Sequence, residues 1–127
     1  MKRLNKHALP YLVSLLALAP IANAADILKA DKHFSAGEYN LAKESYLEAA
    51  KIGNPHAFYQ LGNMYHKGLG FEKDPLNALL YISTAAALGL DKADTTLKKM
   101  LAPLSNVQKD SIEKILADNA QLNRLKV

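Results

Sequence analysis

The chain of 127 residues contains no cysteine. That absence excludes disulfides, thiol nucleophiles, thiolate-held metals and lipid attachment at a cysteine behind a leader. Small exported domains often depend on disulfides, so this one has to fold by burial alone. Long apolar runs are missing too. The longest stretch of that character covers residues 8–22, broken by Ser14, Pro10 and Pro20. Its 15 positions fall short of the ~20 that cross a bilayer as a helix. Lys2, Arg3 and Lys6 precede the stretch, and Ala22-Asn23-Ala24 follows it. A basic start, a short apolar middle and a small-x-small end predict a cleavable export signal over 1–24. The expected location is therefore the periplasm or the medium, with no membrane span after cleavage. The 103 residues left suit one domain over 25–127.

Charge of one sign is also scarce once the leader is set aside. The chain has 16 Lys and Arg against 12 Asp and Glu, a net charge of +4. Three of those cations and none of the anions lie in 1–24, which leaves 13 against 12 and a net charge of +1. A nucleic-acid partner would call for a basic stripe, and none is present.

Alternating apolar and polar positions, the mark of a half-buried strand, are absent as well. Helical periodicity runs through 25–127 instead. Glycines at 37, 53, 68 and 89 and prolines at 55, 75 and 103 divide this pattern into six short helices. Asn54-Pro55 and Asp74-Pro75 are predicted to cap the third and fourth helices, and Asp91 the fifth. Ser105-x-x-Gln108 is a capping-box pattern for the sixth. Expected inward positions include Ile27, Ala30 and Phe34, then Leu41, Ala42, Tyr46 and Ala49. Further along they include Leu61, Gly62 and Tyr65, then Ile82 and Ala85, and finally Val107, Ile112, Ile115 and Leu116.

Small residues recur at one offset of 36. They are Ala42 and Ala78, Ala49 and Ala85, Ala50 and Ala86, Gly53 and Gly89, Ala57 and Ala93. A period between about 20 and 50 residues signals stacked repeats. Alanine or glycine where helices cross lets backbones approach closely. Three units follow, at about 26–53, 54–89 and 90–127, each an antiparallel helix hairpin. The last loses register after Pro103, as a terminal cap should.

The stretch from Ala57 to Asp74 carries Ala57, Leu61-Gly62, Tyr65, Gly68, Gly70 and Asp74. After it come Ala78, Tyr81-Ile82, Ala85-Ala86 and Gly89. This order and spacing closely resembles the Sel-one-like repeat, A-x-x-x-L-G-x-x-Y-x-x-G-x-G-V-x-x-D followed by alanine, an aromatic pair, Ala-Ala and glycine. Phe71 stands where that family has valine, and Ile82 replaces the second aromatic. The unit from Phe34 to Ala49 looks more like the shorter tetratricopeptide turn. The resemblance covers about residues 30–101 well. It implies an all-α fold, a short right-handed α-solenoid of about three hairpins, in an adaptor that binds other proteins.

Catalytic and metal-binding patterns are weak beside that picture. Gly68-x-Gly70 lacks the following Lys-Ser/Thr pair of a phosphate loop. His56 and His66 lie ten apart on one helix with no carboxylate three or four positions on from either. None of Ser35, Ser45, Ser83, Ser105 and Ser111 has the glycine-flanked elbow of a nucleophile. Glu44 and Glu48 read as a helix face, with Lys51 as a partner. No enzyme activity, cofactor or metal is expected. If Phe58, Leu61, Gly62 and Tyr65 face inward, then His56, Tyr59, Asn63 and His66 share a different face. By resemblance to tetratricopeptide stacks, that face lines a concave groove, and Tyr59 and Asn63 are expected to touch a peptide there. The alternative is a structural subunit or stabiliser of an envelope assembly.

Overall fold

The computed structural model describes Ala24 and residues 26–125, with side chains through residue 119. Apart from Ala24, the predicted export signal lies outside the described residues. Six helices follow in order: α1 over 26–35, α2 Tyr39–Lys51, α3 Pro55–Lys67, α4 Pro75–Ala87, α5 Asp91–Leu101 and α6 Asn106–Leu125. No strand occurs among the described residues, so the fold there is all-α. None of these helices is long and apolar enough to cross a membrane.

The recurring small residues take equivalent places. Ala42 and Ala78, Ala49 and Ala85, and Ala57 and Ala93 are all buried at 0% exposure. Each pair sits where consecutive helices press together. Gly53 and Gly89 end α2 and α4 with φ of 80° and 91°. Gly53 N–H donates to Ala50 O and Asn54 N–H to Ala49 O, at 2.9 and 3.2 Å. Thirty-six residues later Gly89 N–H donates to Ala86 O and Leu90 N–H to Ala85 O, at 2.9 and 3.1 Å. This double bond pattern closes a helix on a left-handed residue, which glycine tolerates because it has no Cβ. The turn is thus copied together with the packing.

The closest helix crossing lies between α3 and α4, which share the most extensive contact. A Cβ added at Gly62 would stand 2.5 Å from Ile82 Cγ1 and 3.1 Å from the Ala78 carbonyl oxygen. At the equivalent position in the next unit stands Lys98, its side chain 75% exposed and paired with Asp94 at 2.6 Å. Among the described residues no such crossing occurs there. Among the described residues α6 packs more on α4 than on α5, so the third hairpin is looser than the expected one.

The connection between α3 and α4 covers residues 68–74, against 36–38 between α1 and α2. Side chains stitch the longer loop down. Phe71 stacks on Tyr65 with ring centroids 3.9 Å apart, and Tyr65 lies 5.4 Å from Tyr81. Lys43 Nζ donates to Gly70 O at 3.0 Å and sits 5.2 Å from the Phe71 ring. An aromatic at 71 therefore gains a stacking partner and a cation that valine would lack.

The caps agree with expectation at three helices. Asn54 Oδ1 accepts from His56 and Ala57 N–H, and Asp74 Oδ1 accepts from Leu76 and Asn77 N–H. Ser105 and Gln108 form the reciprocal box, with Gln108 N–H donating to Ser105 Oγ and Ser105 N–H to Gln108 Oε1. Asp91 does not cap α5. Leu90 holds that position with no side-chain cap, because the Gly89 turn leads straight into the helix and leaves Asp91 inside its first turn. Leu41, Val107 and Ile115 were expected inward but are 47%, 75% and 42% exposed. Leu41 lies about 100° around α2 from Ala42, outside its buried stripe. Val107 is about 140° from Ile112 on α6, by the same rule.

The backbone N–H of Asn77, with help from its side chain and from Leu76 N–H, holds the Asp74 carboxyl below its ordinary value. A depressed carboxylate stabilises the fold above the unfolded value near pH ~4 and loses that contribution as pH falls through the folded value. Asn caps as well as Asp but carries no charge. Thermal scans should therefore show Asp74→Asn trailing the parent at pH 7, with the gap closing as the medium is acidified. A gap constant with pH would remove the charge from this account.

Candidate functional site

The side chain of Asp31 on α1 begins a row of polar contacts. Its Oδ1 accepts from Tyr46 OH on α2 at 2.5 Å and lies 3.2 Å from His56 Nε2 on α3. Lys92 Nζ on α5 lies 3.2 Å from the other ring nitrogen, His56 Nδ1. An ammonium can only donate, so Nδ1 accepts and the neutral tautomer with its proton on Nε2 satisfies both neighbours. The same lysine stands 4.6 Å from the Tyr59 ring centroid. Tyr59 OH contacts Thr96 Oγ1 at 3.3 Å. Gln60 Nε2 donates to Tyr46 OH, and Asn63 Nδ2 donates to Gln60 Oε1, both at 3.4 Å.

Helices α1, α3 and α5 thus present one connected polar face. It offers an acid, an imidazole, two amides, a phenol, a hydroxyl and an ammonium. Its energetics follow from burial. Burial first, and then the Asp31 carboxylate, push the Tyr46 hydroxyl well above its ordinary pKa. Tyr59 moves the other way, because the Thr96 hydroxyl stabilises its phenolate, aided by Asn63, Lys92 and Lys67 against the opposing effect of burial. No buried side-chain nitrogen or oxygen among the described residues lacks a partner.

Of the four residues expected on one face, three meet in this row: His56, Tyr59 and Asn63. His66 does not join it. It lies about 15 Å along the helix axis from His56, exposed beside a second, apolar cavity. Tyr59 also packs partly against the cluster of Ile82, Ala85 and Ala93, so it supports the scaffold as well as lining the face. Asp31, Gln60, Lys92 and Thr96 were not foreseen. Two of them could have been: Lys92 and Thr96 are His56 and Gln60 advanced by 36.

Several other chemistry-bearing groups are engaged elsewhere. The hydroxyls of Ser35, Ser83 and Ser111 donate to carbonyls of their own helices at 2.8–2.9 Å, and Ser105 caps α6. His33 Nδ1 pairs with Glu38 Oε2 at 2.5 Å across the first turn. Glu48 pairs with Lys51 at 2.6 Å, both exposed. Among the described residues no three His, Cys, Asp or Glu side chains converge as a metal site. No protein-family model matches the chain, and no curated protein matches it significantly.

Proposed function

We propose that this chain is a non-catalytic adaptor, exported to the cell envelope, that binds a protein or peptide on the face shared by α1, α3 and α5. In this reading the helices form a short right-handed α-solenoid of the Sel-one-like kind, and that face is its concave side. The observation that carries it is the polar row from Asp31 through His56 and Lys92 to Tyr59 and Thr96. Such a row is held in place before any partner arrives, so binding orders few side chains and costs less. Amides at Gln60 and Asn63 suit the main chain of an extended segment, and Tyr59 offers a ring to stack on.

Photo-crosslinking in the producing cell tests this. A crosslinker at Asn63 or Lys92 should yield the same adduct, and one at Glu44 none. Lys92→Ala should weaken capture by about tenfold while circular dichroism stays unchanged. Equal adducts from both faces would count against the proposal.

A second reading draws on the ends of the chain of helices. Leu28 and Leu41 near the first hairpin are 70% and 47% exposed, and Val107 and Ile115 on α6 are 75% and 42% exposed. Apolar surface at both ends suits a subunit packed permanently between neighbours. A subunit would stay associated through high salt and dilution, whereas an adaptor using the polar face would exchange.

A further inference from the structure

Beyond the polar row, we infer that a second site, the open cavity lined by the end of α3 and by α4, α5 and α6, binds the alkyl chain and carboxylate of a fatty acid. The cavity measures about 560 Å³, within the ~300–1,000 Å³ usual for small-ligand sites. Among the described residues α6 touches α4 only lightly, and its Ile112 lines one side of the cavity. Its lining is apolar, with Leu79 buried as its floor, Leu76 exposed at its rim, and Met100, Leu104 and Ile112 around it. The charged or titratable groups in the lining are His66 and Lys99, with no acid among them. Neither makes a hydrogen bond or ion pair among the described residues. The third polar group, Thr96, is already engaged by Lys92 O at 2.8 Å and by Tyr59 OH.

That inventory selects the ligand. A wholly apolar guest would make no use of the lysine and imidazole, which stand exposed at the rim. An extended peptide would find few main-chain partners on walls made mostly of helices whose own bonds are satisfied. An alkyl carboxylate brings a tail with no polar atoms and one anion for the cationic rim. Met100 supplies a flexible, polarizable wall that can follow a chain of varying length.

Dodecanoate below its micellar concentration, titrated into the full chain by calorimetry and followed by amide shifts, tests the assignment. One molecule should bind, shifting residues of α4, α5 and α6 around Leu79 and Met100. From octanoate to dodecanoate each added methylene should tighten binding by about fourfold until the cavity is full. Lys99→Glu, at an exposed position, should weaken dodecanoate at least about tenfold while leaving 1-dodecanol unaffected. Lys92→Ala, which probes the adaptor reading, should bind dodecanoate as the parent does, so the two proposals fail separately. Absence of saturable binding would overturn the inference. So would equal affinity in Lys99→Glu, or equal affinity for dodecyltrimethylammonium. An amphipathic helical peptide that shifts the same amides where dodecanoate does not would assign the cavity to a protein helix and likewise overturn it.

Discussion

Tyr46→Ala should lower the stability of the fold by about 3–5 kcal/mol, read as a fall in Tm of more than ~10 °C at neutral pH. Tyr46 is among the largest side chains buried at 0% exposure, and it sits where α1, α2 and α3 meet. Its ring meets Phe34 and His56 edge-on, each with centroids 6.5 Å apart. Removing it opens a cavity that three helix backbones would have to shift to fill. Its hydroxyl has a separate part, because Asp31 and Gln60 both bond to it. Tyr46→Phe keeps the ring and removes only those bonds. Asp31 is 38% exposed and can turn to water, so the cost there should be nearer ~1 kcal/mol. Equal losses for the two variants would mean that the hydroxyl, and not ring burial, holds this junction. A domain of this size commonly has about 5–15 kcal/mol in hand, so the alanine variant approaches unfolding.

The inward role of Tyr46 was readable from the chain because Ala42, Tyr46 and Ala49 fall within one narrow stripe of a helix. The small-residue period was readable for a related reason. Close backbone approach and a left-handed turn each admit very few residue types, so alanine and glycine mark them in the sequence. Leu41 and Ile115 misled because hydrophobicity does not report which side of a helix has a neighbour. Leu41 lies off the buried stripe, and Ile115 on α6 stays 42% exposed. The polar face was legible in part. His56, Tyr59 and Asn63 lie on one helix, so spacing alone joins them. Lys92 needed the repeat offset applied to polar positions as well as to alanines. Asp31 was beyond reach of that rule, since the first connection is shorter than the second and breaks the register. The cavity beside His66 was not legible at all. It depends on where α6 comes to rest after Pro103, where the repeat no longer guides the chain.

Gly62→Val should cost about 1–3 kcal/mol or somewhat more, through overpacking and not through any lost contact. The obstruction has two parts of unequal stiffness. Ile82 Cγ1, 2.5 Å from the added Cβ, belongs to a side chain that is itself fully buried, with little room to rotate. The Ala78 carbonyl oxygen at 3.1 Å belongs to α4 and moves only if the helix does. Even Gly62→Ala should therefore destabilise, although alanine is the better helix former by about 1 kcal/mol. Pairing Gly62→Ala with Ile82→Val separates the two obstructions. Trimming Ile82 should recover part of the loss if its side chain is the main obstacle. No recovery would place the strain in the approach of the α3 and α4 backbones. Denaturant unfolding of the two single variants and the double variant measures this coupling directly. A stable Gly62→Val protein with an unchanged midpoint would show that α3 and α4 do not cross this closely in solution. The buried face of Ala78 would then need another explanation, because it stands at that crossing.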